Sequence, residues 1–357
     1  MPRQKPCGGV ISNKTLKLIN PKIPENIIDQ YVKGVNIYSK TLKPIKLESS
    51  TSMGISTTRD RLDSYLVDLA IDSGCTFVQS KLIDIKIQKN QAKCNLEKLG
   101  NINANIIIGA DGVYSTTAQK TGIRQKWKNN EVALCLETKM ETNNTDRIEK
   151  DRIELYFIGI PLGFGWFFPK KTTVSVGIGG NLAYFHNPRK IFENFLKTIS
   201  TTKKIKIKTP KLTAHLIPSG GFDRKLTSDK TILVGDAAGF VDPLTGEGIY
   251  YAMKSGQLAA MTCAIAIEEE NTKAAHLETF YQKICEKEFN KNLKIALQID
   301  YLVHKYQDKF FSSLENQDSI WIKLIRGDIT YSQAKTKILP KLPLILLKQK
   351  IAGIMRH

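Results

Sequence analysis

Hydrophobic positions change period several times along the chain, and each change marks a change of element. Between residues 21 and 50 short apolar stretches mix with Pro and Ser, which reads as loops and short strands. From Arg61 to Ala70 the spacing becomes helical. Leu62, Tyr65, Leu66, Leu69 and Ala70 share a face and Ser73-Gly74 supplies a stop, so a helix is predicted. Alternation from Leu82 to Ile87 predicts a strand, and the compact run Ile106-Ile107-Ile108 predicts one buried on both faces. Residues 125–228 carry β-rich stretches such as Val174 to Ile178, broken by Gly, Pro, Asn and Lys, as a mostly antiparallel sheet would. Thr231 to Val234 predicts a further buried strand, Ile249 to Glu268 a long helix rich in Ala, Leu and Met, and the Lys-rich chain beyond residue 275 more helices.

Composition narrows the class. At roughly 150 residues per domain, 357 residues give two or three domains. With 41% apolar and 24% charged residues the chain is ordinary globular material, which excludes disordered, collagen-like and coiled-coil classes. Lys and Arg number 53 against 34 acidic residues, a net +19 that favours nucleic acid, a phosphorylated ligand or an anionic membrane surface. A general bias towards Lys, Ile and Asn, as in Lys203 to Lys208, explains much of the same charge. No basic-aromatic recognition module accompanies it, so nucleic acid is not expected. The six cysteines form no C-x-x-C pair, which argues against disulfides or zinc and for a reducing cytoplasm. No apolar run reaches 18 residues and the chain starts polar, so neither a span nor a signal peptide is predicted.

Two segments carry chemistry. Ile106 to Ser115 runs from an apolar strand into Gly109-Ala110-Asp111-Gly112, a tight turn that presents a carboxylate at the carboxyl end of a sheet, where open α/β folds bind ligands. Val234 to Ile249 is denser: Gly235, Gly239, Gly246 and Gly248 let backbone approach a ligand closely, and Asp236 can accept from sugar-like hydroxyls. The helix N-terminus that follows favours an anion. Such a loop suits a flavin.

These two segments resemble the later FAD-contact motifs of the flavoprotein monooxygenase-like fold. Three further stretches narrow the likeness: Lys5-Pro6-Cys7-Gly8-Gly9, Arg59 with Asp63 four residues on, and Phe164-Gly165-Trp166-Phe167-Phe168-Pro169-Lys170 followed by Gly177 and Gly179. From residue 2 to about residue 260 the chain is similar to the geranylgeranyl reductase family, which uses reduced FAD to saturate isoprenoid double bonds in archaeal lipids or in the chlorophyll side chain. The resemblance implies an α/β protein. Its FAD-binding Rossmann-like domain would be split between residues 1–124 and 229–275, around an antiparallel β-sheet substrate domain at 125–228, with a C-terminal helical region at 276–357. It implies that Cys7, Gly8 and Gly9 neighbour the flavin, with Cys7 also catalytic, and that Arg59, Ile83, Asp111, Gly235, Asp236, Gly246, Gly248 and Ile249 contact the cofactor. Trp166, Phe168 and Pro169 would shape the lipid cavity, where Phe164 replaces the family's usual Tyr. The five histidines are expected to be structural or on the surface, and no metal is expected. The implied partners are an isoprenoid lipid and an external electron donor, ferredoxin or a reduced nicotinamide. An FAD monooxygenase or halogenase, or a non-catalytic remnant, are the alternatives.

One departure stands out. A G-x-G-x-x-G turn followed by an acidic residue is absent, and Gly177-Ile178-Gly179-Gly180 fails at its sixth position, Leu182. The family places that unit ahead of Lys5, so the first βα unit is expected to be missing, roughly 30 to 40 residues lying upstream of Met1. The chain as written is then expected to bind FAD poorly. Val10 stands where the family often has a third glycine, and is expected to crowd the flavin. The tail from Leu339 to His357 has four basic and no acidic residues among Leu and Ile, which predicts contact with an anionic bilayer or a packed helix with a solvated lysine face.

Overall fold

The computed structural model describes residues 2–3, 5–141, 148–205, 207, 211–220, 223–307, 310–311 and 318–338. The tail from Leu339 onward lies outside them. The first third of the chain builds β1 (Val10–Ser12), α1 (Asn13–Leu16), β2 (Gln30–Val32), β3 (Gly34–Tyr38), β4 (Pro44–Glu48) and β5 (Gly54–Ser56), then α2 (Arg59–Asp72). A meander of β6 (Leu82–Ile87), β7 (Ala92–Leu96) and β8 (Gly100–Ala104) follows, leading to β9 (Ile107–Gly109) and α3 (Thr116–Lys120). Helix α2 covers and slightly extends the predicted helix.

The middle of the chain supplies β10 (Ala133–Glu141), β11 (Arg152–Tyr156), β12 (Gly163–Pro169) and β13 (Thr173–Asn181). Helix α4 (Pro188–Lys203) and β14 (Thr213–Ile217) complete it. These strands form a seven-stranded sheet in the order β14-β10-β13-β12-β11-β3-β4. It is antiparallel except between β11 and β3. The sheet therefore takes β3 and β4 from residues that the sequence assigns to the first domain. Pairing across more than a hundred residues leaves no local periodicity to read.

The chain then returns through β15 (Thr227–Ser228) and β16 (Thr231–Leu233) to α5 (Gly235–Ala238) and the long α6 (Ile249–Glu268), whose bounds match the sequence expectation. Helices α7 (Ala274–Leu277), α8 (Lys283–Cys285) and α9 (Lys291–Lys305) run on through π-helical turns, followed by α10 (Asp318–Arg326) and α11 (Tyr331–Ile338). Strand β16 pairs in parallel with β9, and the core of this region gathers Ile232, Leu233, Tyr251, Tyr281 and Phe289. The buried Tyr281 hydroxyl donates to the Leu233 carbonyl at 2.6 Å, fixing the return helices to the strand that feeds the glycine loop.

Strand β9 corrects one expectation. Among the described residues it ends its three-stranded sheet, with β16 as its one partner there, and Ile108 is 42% exposed rather than buried on both faces. An apolar parallel strand is normally covered on both faces and both edges. Val10 sits in β1 opposite Ser56 and packs against the apolar cluster of Val32 and Val35.

On β12 the period of two separates two jobs. Phe167 is fully buried against the α4 side of the sheet, whereas Phe168 faces a large cavity. Phe167→Ala is expected to cost about 3–5 kcal/mol in urea unfolding, and Phe168→Ala clearly less.

Candidate functional site

Three walls enclose the cavity. The first is the Lys5–Gly9 loop, which the chain holds against β5 and β12 with a buried cation. Lys170, at the turn after β12, donates to the Gly8 carbonyl at 2.9 Å and the Thr57 carbonyl at 2.6 Å. Burial pushes its pKa down to about 8, although Cys7, Asp29 and Glu137 oppose the shift. Gly9 has φ +70°, and a Cβ there would lie 2.1 Å from the Thr57 carbonyl, so only glycine lets the loop close on Thr57. The Gly9 N–H then donates to the Cys7 sulfur at 3.4 Å. Arg59 also reaches that sulfur while gripping Asp63 through two bonds of 2.7 and 3.0 Å. Burial works against the guanidinium, but Cys7 and Asp63 outweigh it and hold its pKa above the usual value.

The second wall is the glycine loop that leads into α6. Gly235, at φ +54°, donates its N–H to Ser255 Oγ at 3.0 Å, and Asp236 pairs with Lys5 at 3.1 Å. The turn Thr245-Gly246-Glu247-Gly248 is pinned from below. Glu247 accepts from Ser12 at 2.5 Å and pairs with Lys14 at 2.5 Å. The buried Asp242 accepts from the Leu244 and Thr245 amides and from the Tyr331 hydroxyl of α11. Gly246, Gly248 and Ile249 thus bring the amino end of a 20-residue helix to the cavity, and with it the partial positive charge of that terminus.

The third wall is aromatic. Phe164, Trp166 and Phe168 alternate along β12 and face the cavity together. Trp166 lies flat over β13, where a Cβ at Gly177 would come within 2.1 Å of the indole, which gives the glycine after the aromatic run a steric purpose. Its Nε1 donates to Ser175 Oγ at 3.0 Å, and Ser175 in turn donates to Glu137 Oε1 at 2.9 Å. Ala133, Cys135 and Glu137 share the cavity face of β10. Helix α9 closes the far side through His304, whose Nε2 lies 2.7 Å from the Gly163 carbonyl at the start of β12 and whose Nδ1 lies 2.8 Å from the Asp300 carbonyl.

The cavity volume is about 1670 Å³, well above the roughly 300–1,000 Å³ of a site for one small ligand. Of the residues singled out in the sequence, Cys7, Gly8, Arg59, Gly235, Asp236, Gly246, Gly248, Ile249, Trp166 and Phe168 line it. Gly9 stands behind the loop against Thr57. Three others lie apart. Ile83 is 41% exposed on β6, and Pro169 turns away, its carbonyl accepting from Ser56. Asp111 spends its carboxylate on Ser115 Oγ, Thr117 N and Thr117 Oγ1, capping α3. Sequence reading missed Glu137, Ser175 and Lys170 as site residues. An acidic residue alternating with Ala133 and Cys135 was the one available signal.

Residues 25–290 match the FAD-binding-domain family. The chain is 30% identical over 337 residues to a digeranylgeranylglycerophospholipid reductase of Methanococcus vannielii, covering 92% of this chain and 83% of that protein. It belongs to the geranylgeranyl reductase family of FAD-binding proteins. Among solved structures, a geranylgeranyl bacteriochlorophyll reductase-like protein of Thermoplasma acidophilum superposes with a TM-score of 0.79 at 24% identity, over 95% of this chain and 89% of that one. A flavin-dependent brominase superposes at 0.71 with 15% identity, over 95% and 90%. At those identities the two structures establish the shared fold.

Family membership makes the cofactor FAD, and the first two walls fit it. Gly8, Gly246 and Gly248 present bare backbone to the cavity, and at Gly8 a side chain would collide with Phe168, which a Cβ would meet at 2.6 Å. Arg59, Lys5 and the α6 amino end supply positive charge for an electron-rich, phosphorylated ligand.

His304 gives the site a pH signature. Burial lowers its pKa, but the hydrogen bond and charge of Asp300 outweigh that and raise it to about 9. A raised histidine stabilises the fold fully below its unfolded pKa of about 6.5 and loses that contribution as pH rises through 9. Chemical denaturation is expected to show a loss of roughly 1–3 kcal/mol between pH 6.5 and 9.5 that is absent in His304→Gln.

Proposed function

We propose that this chain is an FAD-dependent reductase that saturates C=C bonds in the geranylgeranyl chains of isoprenoid lipids. One observation carries the proposal: a single cavity joins the Cys7–Gly9 loop and the α6 amino end to the aromatic wall of β12. The first two surfaces suit a flavin, and the third suits a long apolar chain. The Methanococcus vannielii relative, a digeranylgeranylglycerophospholipid reductase, supports the substrate class.

The proposed division of labour follows from the walls. Gly8 and Arg59 hold one side of the cofactor, Gly235 and Asp236 its sugar-phosphate region, and Gly246, Gly248 and Ile249 the ring. FAD, when bound and reduced, supplies a hydride. An isolated alkene is a weak electrophile, so the protein must support positive charge at the carbon that receives the hydride and keep water away. Trp166, 8% exposed and aligned along the cavity, offers a π face for that charge. Cys7, beside Arg59, stands where the loop meets the aromatic wall and contacts the reacting end of the chain.

Electrons come from an external reductant, ferredoxin or a reduced nicotinamide. No helix among the described residues is long and apolar enough to cross a membrane, and the basic, apolar segment beyond Leu339 supports peripheral contact with an anionic bilayer, the source of the lipid.

Anaerobic incubation of the dithionite-reduced protein, in excess FAD, with a digeranylgeranyl lipid is expected to add two hydrogens per saturated bond, read by mass spectrometry. A strict need for oxygen, or an unchanged lipid beside reduced FAD, would overturn the proposal. Cys7→Ala is expected to lower turnover at least about tenfold with FAD still bound.

A further inference from the structure

The hydride leaves half of the reduction unexplained, because the second alkene carbon needs a proton inside an apolar cavity. We propose that Glu137 is the proton donor of the reduction, carried on β10 and held for that role by Ser175 and Trp166. The inference rests on the reductase reading of the same cavity.

Glu137 is 3% exposed overall, yet it lies on the cavity wall next to Cys135 and opposite the Cys7 loop. Its surroundings fix the polarity of its hydrogen bonds. The indole N–H of Trp166 can only donate, so Ser175 Oγ accepts from it and directs its own hydrogen to Glu137 Oε1. The Cys7 amide is a second donor to the carboxyl. Oε1 is therefore an accepting oxygen, which leaves Oε2 as the oxygen that would carry the transferable proton. Trp166, the surface against which the alkene would lie, is the residue that starts this relay.

Burial also disfavours the ionised form of the carboxyl. Burial raises its pKa, while Ser175, Lys139, Lys170 and the Cys7 amide pull the other way, and the net shift is upward. The titratable groups that face it are Lys139 and Cys135 on β10, Lys170 after β12 and Cys7 on the loop. Lys170, the buried cation among them, spends its ammonium on the Gly8 and Thr57 carbonyls and is no salt-bridge partner for the acid. The chemistry then balances. Hydride with its electron pair goes from the reduced cofactor to one alkene carbon. The Oε2–H bond breaks as a C–H bond forms at the other, and the carboxylate left behind takes a proton from water once product leaves.

Two measurements test this. An infrared pH titration of the FAD-free chain is expected to show the C=O stretch of a protonated carboxyl persisting above the ordinary carboxylate range, a band that Glu137→Gln removes and Glu137→Asp shifts; its loss within the ordinary range in the wild type would overturn the proposal. With excess FAD, Glu137→Gln is expected to reduce lipid turnover about 10²–10⁴-fold while FAD binding and KM for the lipid hold. Wild-type kcat is expected to fall as pH rises through the acid's pKa. Ser175→Ala is expected to move that pH profile. A Glu137→Gln variant with full turnover beside an active wild type would overturn the donor role alone, whereas an inactive wild type would count against the reductase reading itself.

Discussion

The whole site hangs on one buried ammonium. Lys170 ties the Gly8 and Thr57 carbonyls together across 162 and 113 residues of sequence, and so brings the amino-terminal loop, the strand ahead of α2 and the aromatic strand to one point. Desolvating a lysine is costly, which its depressed pKa records. The cost is offset by two short charge-assisted bonds to carbonyls that a glycine loop pressed into the sheet would otherwise leave without donors. Remove the cation, and the Cys7 loop loses its register against Trp166 and Phe168.

From that point the cavity divides by chemistry. Backbone, glycine and cationic side chains face the side suited to a flavin, and carbon faces the side suited to a lipid. Two groups of polar side chains on that side are tied into chains: Trp166 to Ser175 to Glu137, and Gly163 to His304 to Asp300. Such tying matters in a water-poor space, where an unmatched polar group would hold water and quench a developing carbocation.

Local pattern and chemistry were legible in the sequence where one segment carried the whole signal. The helix Ile249–Glu268, the strand at Thr231 and the glycine loop between them could all be read this way, and most of the motif residues do line one cavity. Features that depend on distant neighbours could not be read. Ile106 to Ile108 looks like a doubly buried strand, but burial depends on what pairs with its second edge. Asp111 looks like a ligand because the turn exposes it, yet Ser115 and Thr117, four and six residues on, claim its oxygens. The role of Lys170 is invisible without the 113-residue return to Thr57, and β3 and β4 join the large sheet only through a parallel pairing with β11.

The central claim is that one space serves both flavin and isoprenoid, with Cys7 and Trp166 at their junction. The most direct measurement is a structure of the chain with FAD and a digeranylgeranyl lipid bound. The isoalloxazine is expected between Cys7–Gly9 and Gly246–Ile249, with an alkene of the lipid lying between the ring and Trp166. A flavin bound away from the Cys7 loop, or a lipid chain that leaves the β12 wall empty, would contradict it.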